Sequence, residues 1–346
     1  MDFCFDQDAL DLKEGARSFF EGETPAERLR SLAEGADKLA LWPKLAEMGL
    51  LGAGAPEATG GLGLGDAEIL LLCEEAGRVA LPEPFVETAG VLIPTLAALG
   101  AEAGDQIPEL ITGAKRGVVV HPANRLTNLS ETADFAMLCS DICIAFASPG
   151  SLDSHPQSSI DPGRSVACLS GEAETEILSG GAAKAVCAEI AARGAACTAA
   201  ELCGLTERMI ALATDYASMR EQFGKPIGSF QAVKHLLANA QVKLEFARPV
   251  VYRAGAALSQ PGTRRDLCVS HAKLAASDAA TFAAEQAIQV FGGMGYTFEV
   301  DLHFFMKRAW ALSGQWGDRS HHMARVEAAI IGGGCEIGPG PTFTHA

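Results

Sequence analysis

Two long runs of apolar residues at helical spacing constrain this chain more than any other feature. Leu202, Leu205, Met209, Leu212, Tyr216 and Met219 recur at intervals of three and four. After a short break Val233, Leu237, Ala240, Leu244, Ala247, Val251, Ala254 and Leu258 do the same. This spacing puts one apolar stripe on one side of each helix, and such stripes pack long helices side by side in a bundle. Pro249 lies inside the second run and is expected to kink that helix. A third helix from about Asp266 to Phe291 and a fourth from about Leu302 to Ile330 complete a bundle over residues 181–331. The Gly/Pro-rich stretch 332–346 that follows reads as a loose tail.

Residues 1–113 are also helical in pattern, with apolar clusters around Leu10, Leu12, Phe19 and Phe20, then Leu41–Leu51, then a run from Asp66 to Val79 with Asp66 placed to cap its start. Gly60-Gly61-Leu62-Gly63-Leu64-Gly65 separates the last two. A phosphate-binding glycine loop needs a preceding strand and G-x-G-x-x-G spacing; both are missing, so this segment reads as a tight turn between helices. Residues 114–180 differ: Gly117–Val120, Phe135–Cys139 and Ile142–Phe146 are short β-like runs, separated by turn-rich stretches such as Ser148-Pro149-Gly150-Ser151 and Asp161-Pro162-Gly163. A sheet module this small is expected to pack on the helices rather than stand alone. The fold class expected is mostly α: an N-terminal helical domain, a small middle β domain and a C-terminal four-helix bundle.

The chain carries 43 Asp and Glu against 27 Lys and Arg, a net charge of −16, which repels nucleic-acid phosphate and anionic lipid. No apolar run approaches the roughly 20 residues of a membrane-spanning helix. The N-terminal residues Met1 to Asp8 lack the basic and apolar regions of a leader, so a cytoplasmic location is expected. The ten cysteines are scattered without a Cys-x-x-Cys pair, which predicts small apolar side chains in a reducing compartment and no zinc site.

Chemistry concentrates in the break between the two apolar runs, Arg220-Glu221-Gln222-Phe223-Gly224-Lys225-Pro226-Ile227-Gly228-Ser229-Phe230-Gln231. A guanidinium, amides and aromatic rings together suit a phosphate and a flat heterocycle. A second cluster, Gln289-Val290-Phe291-Gly292-Gly293-Met294-Gly295-Tyr296, ends the third helix, and its small residues permit close approach of a ligand or another chain. Composition alone leaves open an interhelix turn plus a helix end.

The two motifs together resemble the acyl-CoA dehydrogenase family, whose bundle carries R-x-x-F-G-x-x-I-x-x-F-Q and Q-x-x-G-G-x-G-[YF] turns at this separation. Trp42 through Gly52, followed by Pro56-Glu57-Ala58-Thr59-Gly60-Gly61-Leu62-Gly63-Leu64-Gly65, is similar to that family's first helical domain. The resemblance implies FAD bound across a subunit interface. Carried onto this sequence, Arg220 would pair with the pyrophosphate, Gln222, Phe223 and Ile227 would flank the adenosine, and Phe230 and Gln231 would close the turn. Gln289, Gly292 and Gly293 would approach the ADP portion. The implied reaction is α,β-dehydrogenation of an acyl-CoA, with electron-transfer flavoprotein or a similar acceptor downstream.

That reaction needs a general base. In most family members it is a Glu after the Gly-Gly turn, a position that falls here on Trp316; in others it lies on the first bundle helix, which falls on Gly194. Neither can accept a proton, which leaves the catalytic residue unassigned. Asp318 and Glu189 are the nearest carboxylates, with helix capping or surface exposure as the plainer role for each. His321-His322 beside Asp318 has no evident third ligand and is not expected to bind metal.

The family's Thr-Glu-Pro segment and flavin-stacking Trp are also missing, since no Trp occurs between 43 and 309. The losses fall on the catalytic half-site and the retained motifs on the half given to a neighbour. The sequence therefore predicts one subunit of a heteromeric enzyme, two copies each of two homologous chains. Asp301-Leu302-His303 with Lys307-Arg308-Ala309 is similar to the branch acting on steroid side-chain CoA esters. A self-sufficient homo-oligomer using Asp318, a flavin monooxygenase and a non-catalytic helical scaffold remain as alternatives.

Overall fold

The computed structural model describes residues 5–103, 106–260 and 262–333. Beyond Gly333 the predicted tail lies outside the described residues, as do Cys4 and Cys335.

Among the described residues the N-terminal part holds six α-helices: α1 (Gln7–Glu23), α2 (Ala26–Ala33), α3 (Trp42–Glu47), α4 (Asp66–Arg78), α5 (Ile93–Leu99) and α6 (Ile107–Ile111). A π-helical segment, Val86–Leu92, leads into α5. The glycine-rich stretch connects α3 to α4, with Gly60 and Gly63 at φ of +89° and +65°, as a tight turn requires. Asp66 does not cap α4. Gly65 occupies the cap position without a side-chain bond, and Asp66, one residue inside, accepts from Arg193 Nη1 at 2.6 Å. A first-turn acid also suits the positive end of the helix dipole.

The middle segment forms seven strands: β1 (Gly117–Val120), β2 (Thr127–Asn128), β3 (Phe135–Cys139), β4 (Cys143–Ala147), β5 (Asp153–Gln157), β6 (Val166–Ser170) and β7 (Thr175–Ser179). They make a four-stranded sheet in the order β1-β3-β4-β7 and a three-stranded sheet in the order β2-β6-β5. Only β1 and β3 pair in parallel. The two-residue period divides the larger sheet's faces. Val119, Met137, Cys139 and Ile144 join the main helical core, whereas Val118, Ala136 and Ala147 build a small separate cluster with Leu152. The module thus packs on the helices through one face, as its size demands.

The bundle begins with α7 (Gly180–Met219) and continues through α8 (Gln231–Leu258), α9 (Thr263–Phe291), α10 (Leu302–Ser313) and α11 (Arg319–Ile331), with the short hairpin β8 (Glu221–Gln222) and β9 (Lys225–Pro226) between α7 and α8. The first apolar run is buried through Met209, half-buried at Leu212 and Tyr216, and exposed at Met219. The second is fully buried from Ala240 to Leu258, at each of its positions. Pro249 is accommodated within α8, which continues through it. Helices α4 and α7 cross closely enough that a Cβ on Gly77 or Gly204 would strike backbone of the opposite helix.

The expected fourth bundle helix is instead two helices. The break at residues 314–318 places Trp316 at φ +56° and Gly317 at +100°, both outside helical space.

Candidate active site and cofactor surface

The two glycine and arginine motifs meet at one end of the bundle. Arg220 follows the last turn of α7, its N–H donating to the Tyr216 carbonyl at 2.8 Å, and its carbonyl accepts from Ile227 N at 2.8 Å, which closes the hairpin. Phe223 forms the hairpin tip at φ +54° and is 92% exposed, with its ring edge-on to Phe230 at 6.1 Å. Lys225 Nζ lies 4.4 Å from the Phe230 ring centre. Gln222 and Gln231 are exposed, Ile227 and Phe230 half-buried. Gln289 lies exposed on the last turn of α9, and Gly292 (φ +59°) and Gly293 have open space where a Cβ would stand. The Tyr216 ring stacks on that of Phe291 at 4.3 Å and 20°, which joins the helix end before Arg220 to the one before Gly292. No carboxylate among the described residues forms an ion pair with Arg220. An exposed cation beside bare glycine backbone and aromatic rings is a donor set that fits the diphosphate and adenine of a dinucleotide.

The positions where a base was sought lie in contact with each other. Trp316 is 2% exposed and its indole packs on the backbone of Gly194 in α7, so that a Cβ on residue 194 would collide with the ring. His121, next to β1 of the sheet module, lies beside the indole at 5.5 Å between ring centres. Ala123 N–H donates to His121 Nδ1 at 2.9 Å, so the ring's proton sits on Nε2, which donates to the Cys187 carbonyl at 3.0 Å. Burial lowers the His121 pKa and raises that of the Cys187 thiol to about 11, so this His–Cys contact holds a neutral imidazole and a thiol, not a nucleophile.

The strained loop under Trp316 has its own support. Lys273 of α9 is 1% exposed, and its ammonium donates to the carbonyls of Leu312, Ser313 and Gly317 at 3.1, 2.9 and 3.4 Å. Burial pulls its pKa down to about 7, opposed by Asp318, while three acceptors match the three N–H bonds of the charged form. His322 Nε2 donates to the Trp316 carbonyl at 3.1 Å, leaving Nδ1 to accept from Ser270 Oγ at 3.2 Å. Burial, reinforced by Lys273, drops the His322 pKa to about 3 and keeps it neutral. His322 is therefore committed to the loop, and no group of three or more metal-ligating side chains exists among the described residues.

Asp318 is the N-cap of α11, accepting from His321 N at 2.8 Å, and it is exposed. Glu189 pairs with Arg193 at 3.4 Å. A third carboxylate was not singled out in the sequence: Glu201, two turns beyond Gly194 on α7. It is buried with Arg308, which also pairs with Asp161 and donates to the Leu81 carbonyl at 2.8 Å. Burial pushes Glu201 up to about 7 despite Arg308. These partners lie 107 to 227 residues apart, beyond the reach of any local pattern.

A helical domain, a small sheet and a long-helix bundle bearing an arginine turn make up the fold. Two family models match, the acyl-CoA dehydrogenase N-terminal domain over residues 6–114 and the acyl-CoA dehydrogenase C-terminal domain over residues 185–334. The chain belongs to the acyl-CoA dehydrogenase family, whose members are FAD-dependent oxidoreductases. It is 36% identical over 280 residues to the acyl-CoA dehydrogenase IpdE2 of Mycobacterium tuberculosis, covering 78% of this chain and 80% of that protein. It is 31% identical to IpdE2 of Mycolicibacterium smegmatis, covering 84% and 88%. Its fold is similar to that of the ChsE4-ChsE5 complex of Mycobacterium tuberculosis, with a TM-score of 0.84 at 21% identity over 96% of this chain and 99% of that one. No helix among the described residues is long and apolar enough to cross a membrane.

Proposed function

We propose that this chain is the non-basic subunit of a heteromeric, FAD-dependent acyl-CoA dehydrogenase, assembled as two copies each of two homologous chains. In this reading its bundle end completes the ADP side of a flavin whose isoalloxazine is held by the partner. The observation that carries it is the Gly194–Trp316 contact: a residue without a side chain and a buried indole meet where a carboxylate is needed.

Arg220 would neutralise the diphosphate, with Gln222, Phe223 and Ile227 beside the adenosine and Phe230 and Gln231 behind them. Gln289, Gly292 and Gly293 would let the ADP approach the backbone. When bound, FAD supplies the hydride acceptor for α,β-dehydrogenation of a CoA thioester. The α-proton would go to a carboxylate of the partner, since Asp318 is occupied in capping α11. A bulky acyl group such as a steroid side chain is the substrate class favoured: a fold neighbour at 23% identity and a TM-score of 0.84 is described as a steroid acyl-CoA dehydrogenase of paired chains, Tcur3481-Tcur3483. Electron-transfer flavoprotein or a similar carrier would reoxidise the flavin.

The test is to isolate the tagged chain with whatever homologous subunit accompanies it in the cells that make it. The complex should reduce an acceptor with acyl-CoA, and Arg220→Ala should strip it of FAD. Dehydrogenation by this chain purified alone would sink the proposal.

A further inference from the structure

Tyr216 lies outside both motifs and Phe291 is not one of the glycine motif's defining residues, yet their rings make a direct aromatic contact between the helices that carry them. Tyr216 lies one turn before Arg220 on α7, and its carbonyl accepts the Arg220 N–H at 2.8 Å. Phe291 is the last residue of α9, immediately before Gly292, and is 7% exposed. The rings are nearly parallel, 20° apart with centres at 4.3 Å. One residue therefore holds Arg220 through its backbone and holds the Gly292-Gly293 turn through its ring.

Apart from that contact, the helix packing at this end rests on small or branched side chains such as Ala213, Ala217 and Val290. In the last turn of α7 the small Ala217 is buried, Tyr216 is half-buried and Met219 is exposed, so Tyr216 is the large side chain through which this end of α7 reaches the end of α9. A diphosphate recognised by a fork-shaped guanidinium demands placement to a fraction of an ångström.

We propose that Tyr216 and Phe291 are positioning residues for the cofactor surface: their stack sets the distance between Arg220 and the Gly292-Gly293 backbone, so that one dinucleotide diphosphate can engage both. The proposal rests on the reading above that this surface takes the ADP portion of FAD.

The experiment uses the assembled complex and FAD as the probe. Tyr216→Ala should weaken FAD binding by about three- to tenfold, the range expected for losing an aromatic pair. Tyr216→Phe, which keeps the stack and removes only the hydroxyl, should restore wild-type affinity. Phe291→Leu, which keeps the site apolar and removes only the ring, should reproduce the loss while the complex stays folded and assembled at the assay temperature, and it replaces Tyr216→Ala if that variant does not assemble. Wild-type affinity in both stack-breaking variants, with Arg220→Ala still losing FAD, would overturn the positioning role and leave the cofactor reading intact. If Arg220→Ala also binds FAD normally, the cofactor reading itself is wrong.

Discussion

The indole of Trp316 rests directly on the α-carbon of Gly194, closing the space between α7 and the α10–α11 loop. A Cβ at 194 would overlap the buried indole, so adding one methyl group there is overpacking. Gly194→Ala should destabilise the protein by about 1–3 kcal/mol, read from urea midpoints. Trp316→Ala in the same chain should relieve part of that loss, so the double-mutant cycle should show a coupling of about 0.5–3 kcal/mol. Strict additivity would mean that the two residues do not meet.

Lys273 supports the left-handed turn at Trp316 by donating to two carbonyls at the end of α10, Leu312 and Ser313, and to Gly317 of the loop. Lys273→Met retains the stem but removes the donor; Leu312 keeps a bond from Gln315 N at 3.1 Å, while the Ser313 and Gly317 carbonyls lose theirs, at about 1–3 kcal/mol for each one left unpaired. The variant should lose at least about 2 kcal/mol and weaken the near-ultraviolet circular dichroism of the tryptophans. An unchanged spectrum would show that the loop holds itself.

Glu201 predicts the sign of one pH dependence. Its pKa is raised to about 7 by burial, against an ordinary value of 4.5, so between those pH values the folded chain binds more protons than the unfolded one. Its contribution is therefore fully present below pH about 4.5 and is lost as pH rises toward 7. His322, lowered from 6.5 to about 3, acts in the opposite sense at overlapping pH. The difference between wild type and Glu201→Gln isolates the first effect: the variant should gain relative stability as pH rises from 4.5 to 7. A flat difference curve would show that Glu201 is ionised throughout.

Arg308 ties three parts of the molecule together, pairing with Asp161 of the sheet module and Glu201 of α7 and donating to Leu81 of the N-terminal part. Arg308→Met leaves two buried carboxylates without their cation, and should cost about 3–5 kcal/mol. Combining it with Asp161→Asn should recover part of the loss, as measured by thermal unfolding.

The long helices were legible because their stripes obey one period over many turns, as Val233 to Leu258 shows. So were β1, β3 and β4, whose apolar runs are bounded by turns. The meeting of the arginine and glycine motifs followed from their resemblance to a known pair of turns. The break at 314–318 was not legible, since it depends on Lys273 and His322, which reach the loop from two other helices. Asp66 likewise reads as a cap from its neighbours alone, and its actual partner, Arg193, is 127 residues away. Positions 194 and 316 are each marked by the resemblance to the family, whose two base positions fall on them; only the fold brings them into contact.

The ratio of FAD to protein in the purified complex, from flavin absorbance and quantitative amino-acid analysis, tests the shared flavin site most directly. A subunit that completes its partner's flavin site, and whose own base position is filled by Trp316, predicts one FAD per pair of unlike chains. One FAD per chain, or a full complement of FAD on this chain alone, would contradict it.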